Sequence, residues 1–214
     1  MSSYFEGSTL FISARSPFAR RVRIAFREHG VAFEEKVLDV FQPQPELWRA
    51  NPLARVPALR ARDGSVLADS SLILEAFYEE MQSPFMPAEP AMRREIHRWQ
   101  AIALGLMEKT VEYYLETLRV KAHQDPEIFA EVEGACDRCL KLLESSLFAG
   151  DFLVQNGGQP TQADFDVGAA LAYLRLRHSS HDSADWPARY PRCASLLQRL
   201  ELRPAFAKTA PPPR

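Results

Sequence analysis

The chain has 214 residues, 46% of them hydrophobic and 25% charged, with 26 basic and 28 acidic side chains for a formal net charge of -2. The length leaves open one large domain or two small ones, and the composition excludes disordered, collagen-like and coiled-coil chains. So even a charge balance argues against a protein that works by general attraction to nucleic-acid phosphates or to anionic membranes. Three cysteines, an odd number, do not read as a secreted disulfide framework. Met1 to Glu6 carries no basic-then-apolar leader, and no apolar run approaches the ~20 residues of a membrane span. A soluble, cytoplasmic protein with neither nucleic-acid nor membrane partner is expected.

In chain order, Ser8 to Ser13 is a β-branched and aromatic run, expected as a buried strand. It stops at Ala14-Arg15-Ser16-Pro17, where Ser16 can cap a helix and Pro17 can fill its first position, whose N–H has no partner in any case. Phe18, Val22, Ala25 and Phe26 share one face of that helix, which Gly30 ends. Ala32 to Val37 is a second strand. A short helix around Pro45 to Arg49 follows, then a strand from Val56-Pro57-Ala58-Leu59. Asp63-Gly64 is a hairpin signal before a fourth strand at Val66-Leu67. Asp69-Ser70-Ser71 then caps a helix bearing Leu72, Ala76 and Phe77. The order β-α-β-α-β-β-α makes residues 1–83 a small α/β domain.

Three prolines between Ser83 and Pro90 mark a linker. Beyond it the pattern is helical throughout: Met92 to Gln124 with Ile96, Trp99, Ile102, Leu106 and Met107 on one side, then Pro126 to Gly150, Phe165 to Leu176, and a last clear helix from Pro191 through Leu200. Thr161 stands three residues before Asp164, a capping-box start. Residues 90–208 are thus expected as an all-helical domain. Charge is even in both halves, 10 basic and 11 acidic side chains in residues 1–83 and 16 and 17 in residues 84–214. Pro211-Pro212-Pro213 is expected as a stiff, solvated tail.

Three junctions can carry chemistry. A helix N-terminus presents unpaired N–H groups and partial positive charge, so Ser16 could cap its helix, or donate to an anion held there. If that anion is a thiolate, its pKa falls toward neutrality. At Val56-Pro57 a proline opens an internal strand, where it cannot donate to the ladder. A cis bond there would leave the backbone of Val56 available to a ligand. Asp69 and Ser70 either cap the next helix, or bind an α-amino acid end, the acid pairing with the amine and the serine with the carboxylate.

Ser16-Pro-Phe-Ala-Arg-Arg-Val-Arg-Ile-Ala25, Asn51-Pro-Leu-Ala-Arg-Val-Pro-Ala-Leu59 and Asp69-Ser-Ser-Leu-Ile73 together resemble the glutathione S-transferase pattern in order and spacing, and Thr161-Gln-Ala-Asp164 resembles the capping box of its helical domain. The resemblance covers nearly the whole chain. It implies a thioredoxin-like domain that binds glutathione and a C-terminal helical-bundle domain that helps form the electrophile site in the interdomain cleft. By position, Ser16 matches the residue that contacts the glutathione sulfur, with Phe18 beside it. Val56 matches the residue whose backbone pairs with the cysteinyl part, next to the family's cis-proline at Pro57. Asp69 and Ser70 match the pair that holds the γ-glutamyl end, and Arg55 sits near the glycyl end. Family members with thiol–disulfide chemistry carry Cys where this chain has Ser16. The resemblance therefore implies thiolate stabilisation, for conjugation, isomerisation or displacement, rather than disulfide exchange.

Ser13 and Tyr4 are the other hydroxyls that could serve the thiol. Cys136-x-x-Cys139 falls mid-helix and reads as core packing. His178 and His181 lack a third ligand at a suitable spacing and read as surface residues, and Arg20-Arg21-Val22-Arg23 reads as a solvated helix face. Trp99, Met107 and Tyr113 lie on the long helix where the family's hydrophobic site forms, so they are carried as substrate-wall candidates. The expectation is a homodimeric glutathione transferase for detoxification of small, largely apolar electrophiles, with glutathione as cosubstrate and no metal or nucleotide. The alternatives are a non-catalytic glutathione-binding or scaffold protein of the same fold, and a specialised glutathione-dependent lyase or dehalogenase.

Overall fold

The computed structural model describes residues 4–147, 150–177 and 185–212; His178 and His181 lie outside them. The chain divides into two compact units, one of residues 4–86 together with 203–212 and one of residues 87–202.

The first unit contains β1 (Thr9–Ile12), α1 (Pro17–Glu28), β2 (Glu34–Val37), α2 (Pro45–Ala50), β3 (Ala58–Arg60), β4 (Val66–Leu67) and α3 (Ser70–Glu80). The four strands form one sheet in the order β2-β1-β3-β4, with β1 parallel to β2 and antiparallel to β3, and β3 antiparallel to β4. This is the thioredoxin-like arrangement. Every residue of β1 is buried, as a central strand covered on both faces must be. Phe11 and its cross-strand partner Ala58 pack on one face with Leu47 and Ala50 of α2. Leu10 and Ile12 point to the other face, where α1 and α3 lie and Phe5, Phe26 and Phe77 meet with centroids 5.0–5.5 Å apart. The edge strand β2, Glu-Glu-Lys-Val, keeps its outer residues exposed, a charged edge that discourages pairing with another chain. In the β3–β4 turn Gly64 has φ +86°, and the Asp63 carboxylate accepts from the Ser65 amide at 2.9 Å.

The second unit is helical: α4 (Pro90–Thr117), a 3-10 turn at Lys121–His123, α5 (Pro126–Ser146), α6 (Gln162–Arg177), α7 (Trp186–Arg189) and α8 (Pro191–Glu201). The long helix begins at Pro90, capped by the Glu89 carboxylate, and stops seven residues short of the expected Gln124. Its end is set by tertiary bonds. The buried Glu116 carboxylate accepts from the Asp125 amide at 2.8 Å, and the Gln124 amide group donates to the Thr117 and Arg119 carbonyls. These turn the chain back to start α5 at Pro126. Fourteen of the sixteen residues of α6 are buried, as a helix enclosed on all sides requires.

The last ten described residues depart from the expected organisation. A final helix, α9 (Pro204–Lys208), belongs to the first unit and packs on α1. Arg203 forms a two-pronged ion pair with Glu28 at 2.8 and 2.6 Å. Arg20 donates to the Phe206 carbonyl and stacks on the Phe206 ring, and Arg23 donates to the Thr209 carbonyl and pairs with Glu35. The segment thus runs antiparallel to α1, and the Pro212 carbonyl accepts from Nε of Arg15, in the loop before α1, at 3.3 Å. The arginines of α1 are therefore not a solvated face: Arg20, Arg21 and Arg23 are 4%, 1% and 8% exposed.

Candidate functional site

Three chain breaks gather at one end of the sheet because of its register. Phe11 pairs with Ala58 and Leu59 pairs with Leu67. The loop after β1, the residues before β3 and the residues after β4 therefore leave the sheet at the same end. They carry Ser16, Val56-Pro57 and Asp69-Ser70.

Ser16 is the N-cap of α1, with extended backbone, and its hydroxyl oxygen accepts from the Ala19 amide at 3.2 Å. Accepting that bond leaves the hydroxyl proton directed away from the helix, as a donor beside the positive end of its dipole. Pro17 has no N–H to offer, and Phe18 is half-buried. Of the other hydroxyls, Ser13 lies in the same loop, where its carbonyl accepts from the Ser16 amide at 2.9 Å. Tyr4 precedes β1, at the opposite end of the strand, with its phenol 2.8 Å from the Ser65 hydroxyl.

The Val56–Pro57 peptide is cis. Val56 is half-buried, Pro57 buried and Arg55 exposed. The loop that presents them is organised by Asn51, a residue whose role the sequence reading leaves unassigned. Its side chain, buried to 6% exposure, accepts from the Leu53 amide at 3.1 Å and donates to the Arg55 carbonyl at 2.9 Å. Within this loop Ala54 has φ +54°, in the left-handed region that a non-glycine residue seldom enters. The one available signal is that asparagine closes helix C-termini and seeds turns.

Asp69 caps α3, one carboxylate oxygen accepting from the Ser71 and Leu72 amides at 2.8 and 3.4 Å. Asp69 is exposed and Ser70 buried. Behind them Nη1 of Arg21 lies 3.1 Å from the hydroxyl oxygens of both Ser70 and Ser71. A helix amide ladder, a carboxylate, two hydroxyls and a guanidinium thus meet at the start of α3, a set suited to a zwitterionic amino-acid end.

The remaining candidates lie in the second unit. Trp99, Met107 and Tyr113 are 2%, 0% and 0% exposed, and the Tyr113 ring meets Phe129 edge-on at 5.1 Å. They are packed as core, the result expected of apolar residues at helical spacing. Cys136 and Cys139 lie on α5 as expected. Burial, with Cys139 nearby, pushes the Cys136 thiol up to about 12, and burial also raises Cys139 and Cys193. Thiols so held are inert near neutral pH. Among the described residues no group of three metal-ligating side chains occurs, and no helix is long and apolar enough to cross a membrane.

Residues 10–85 match the glutathione S-transferase N-terminal domain, and residues 126–199 match the glutathione S-transferase C-terminal domain. The chain belongs to the glutathione S-transferase family. It is 27% identical to the GST-like protein YibF of Escherichia coli over 201 residues, 94% of this chain and 96% of that one. The glutathione S-transferase of Methylobacterium radiotolerans, solved with glutathione sulfonate, superposes with a TM-score of 0.89 at 28% identity, over 97% of this chain and 96% of that one. That of Methylobacillus flagellatus, solved with glutathione bound, has a TM-score of 0.89 at 27% identity, over 96% of this chain and all of the other.

Proposed function

We propose that the protein is a glutathione transferase that holds glutathione at the sheet end described above and activates its sulfur with Ser16 for attack on a small, largely apolar electrophile. The observation that carries this reading is the convergence of a half-exposed N-cap hydroxyl, a cis Val56–Pro57 peptide and the Asp69–Ser70 pair at one end of one sheet. Family members of the same fold with glutathione or glutathione sulfonate bound support the choice of ligand.

The chemistry follows from position. A free cysteine thiol titrates near 8.5, so only a few per cent is thiolate at neutral pH. The hydroxyl of Ser16 donates to the sulfur, and the N-terminus of α1 adds its partial positive charge, so the anion is favoured over the thiol. The backbone of Val56 aligns the cysteinyl residue, Arg55 faces the glycyl carboxylate, and Asp69 and Ser70 hold the γ-glutamyl amine and carboxylate. Binding both ends of the tripeptide fixes the sulfur in one place, which removes most of the orientational cost of the attack. The sulfur lone pair forms the new bond to carbon, the leaving group departs with the displaced electron pair, and the thiol proton goes to solvent.

We place this activity in the cytoplasm and in a homodimer. The exposed Leu53, Val66 and Leu72 of the first unit, at 73%, 43% and 53%, support an apolar contact between copies, which light scattering on the purified protein measures.

The decisive test is Ser16→Ala with 1-chloro-2,4-dinitrobenzene as electrophile. Its kcat/KM at pH 6.5 is expected to fall by about 100-fold, the lower end of the range for losing one donor to a developing anion. The glutathione Kd should move by less than about threefold, since the hydroxyl favours the thiolate over the thiol and not the peptide as a whole. An unchanged rate removes Ser16 from the mechanism.

A further inference from the structure

Asn51 ends α2 and is buried to 6% exposure, and each of its polar groups is engaged. Its amide donates to the Leu47 carbonyl at 2.6 Å, and its carbonyl accepts from the Ala54 amide at 2.9 Å. In the side chain, Oδ1 accepts from the Leu53 amide at 3.1 Å and Nδ2 donates to the Arg55 carbonyl at 2.9 Å. The last bond fixes a direction. The Arg55–Val56 peptide is trans, and a planar trans peptide points its C=O and its N–H to opposite sides. With the Arg55 carbonyl turned toward Asn51, the Val56 N–H faces away from it. Among the described residues no acceptor meets that N–H and no donor meets the Val56 carbonyl. Val56 is half-buried, and backbone groups withdrawn from water ordinarily have partners. The bracket that holds the peptide is itself anchored. Ala54 turns the loop through a left-handed φ of +54°, and α2 packs Leu47 and Ala50 against Phe11 and Ala58 of the sheet.

We infer that Asn51 is a positioning residue for the ligand's peptide backbone: by holding the Arg55 carbonyl it aims the Val56 N–H, and that N–H donates to the cysteinyl carbonyl of glutathione. The inference rests on the glutathione reading above and adds to it a buried residue that acts through another. It also separates asparagine from its nearest isostere. Aspartate has the same shape and still accepts from the Leu53 amide, but it presents an oxygen, not a donor, to the Arg55 carbonyl. That repulsion turns the peptide over, so that the Val56 N–H swings toward the carboxylate and away from the ligand.

Calorimetric titration of the full chain with glutathione and two shorter ligands isolates that one contact. The amide of γ-glutamylcysteine keeps the cysteinyl carbonyl, and γ-glutamylcysteamine lacks it. Both lack the glycyl carboxylate and carry the same charge, so any displacement of Arg55 and the added charge of an aspartate cancel between them. The unaltered protein is expected to bind the amide about tenfold more tightly than the cysteamine compound, the scale of one hydrogen bond. Asn51→Asp is expected to raise the Kd of the amide about tenfold and to leave that of the cysteamine compound within about twofold. Equal weakening of both would mean that Asn51 only supports the fold, and weakening of neither that the Val56 N–H is aimed without it. Each overturns the inference, as do equal affinities of the unaltered protein for the two. Should Asn51→Asp fail to fold by circular dichroism, Asn51→Ser decides by the same comparison, since its hydroxyl can accept from the Leu53 amide but is too short to reach the Arg55 carbonyl. If the unaltered protein does not bind glutathione, the glutathione reading itself falls. If it binds glutathione and the variant weakens both shorter ligands alike, only the role of Asn51 does.

Discussion

Asp69 illustrates how one side chain can serve fold and ligand at once. Its carboxylate caps α3 through two backbone amides, and the proposed function asks it to pair with the ligand's amine. Asparagine caps helices as well as aspartate does but carries no charge. Asp69→Asn is therefore expected to leave thermal stability within about 0.5 kcal/mol while weakening glutathione binding severalfold, read by a thermal melt and a titration on the same sample. A drop in stability with unchanged affinity would make Asp69 a cap alone. Ser16, Pro57, Asp69 and Ser70 were legible in the sequence because each sits at an element boundary, where local backbone rules leave a mark. Arg21 and Asn51 were not. Arg21 stands at an ordinary helical position in an arginine-rich run, and its bonds to Ser70 and Ser71 depend on the approach of α3. The hydrogen bonds of Asn51 close a loop whose path depends on where β3 is seated.

Among the elements, α6 is held at its start by a buried acid. Asp164 is fully buried. Its two oxygens accept from the Leu153 amide at 2.8 Å, from the Thr161 amide at 2.7 Å and from the Thr161 hydroxyl at 3.0 Å. This is the capping box expected from Thr161 and Asp164, extended to the preceding loop. Asp164→Ala leaves the buried Thr161 amide and the part-buried Leu153 amide without an acceptor and is expected to destabilise the protein by about 3 kcal/mol, measured by chemical denaturation. Burial outweighs those bonds and pushes the Asp164 carboxyl up to about 6, against an ordinary value near 4. A folded-state pKa raised above the unfolded one means that the folded chain binds more protons in that interval. This carboxyl therefore makes stability fall as pH rises from about 4 to 6, and Asp164→Asn should flatten that part of the stability profile. A wild-type curve that rises through the same window while the Asn variant stays flat would reverse the assignment. The apolar run of α6 from Phe165 to Leu176 was plain in the sequence. The ending of α4 at Thr117 was not, since it depends on Glu116 and Gln124 bonding across the turn.

At the scale of the molecule, residues 203–212 return to the first unit and dock on α1. Phe206 and Thr209 are fully buried there, and Arg15, Arg20, Arg23 and Glu28 of α1 and the loop before it hold residues 203–212 in place. The thioredoxin-like unit is therefore completed by residues far from it in sequence. Phe206→Ala removes a buried ring and is expected to cost about 3 kcal/mol or more. Hydrogen exchange followed by mass spectrometry should locate the loss: protection falls in α1 and is kept in α5 and α6. Loss spread evenly over both units would show that residues 203–212 do not belong to the first unit's cooperative fold. Neither α9 nor this docking was legible beforehand. Five helical residues carry no readable period; of the triple proline expected as a solvated tail, Pro212 is exposed with its carbonyl accepting from Arg15, and Pro213 lies outside the described residues.

The sequence by itself determined the α/β-then-helical order, the order of strands and helices in the first unit, the caps at Ser16, Asp69 and Thr161–Asp164, and, by resemblance, the family. These are local properties: side-chain alternation, capping hydroxyls, and prolines that backbone sterics confine to few positions. The tertiary structure alone decided that the arginines of α1 are buried, that Arg21 reaches two serines of α3, that Trp99, Met107 and Tyr113 are core, and that the C-terminal segment returns to the first unit. A guanidinium is compatible with water or with a buried partner, and an apolar side chain with a core or a ligand wall. Which of the two holds depends on what the rest of the chain brings against it.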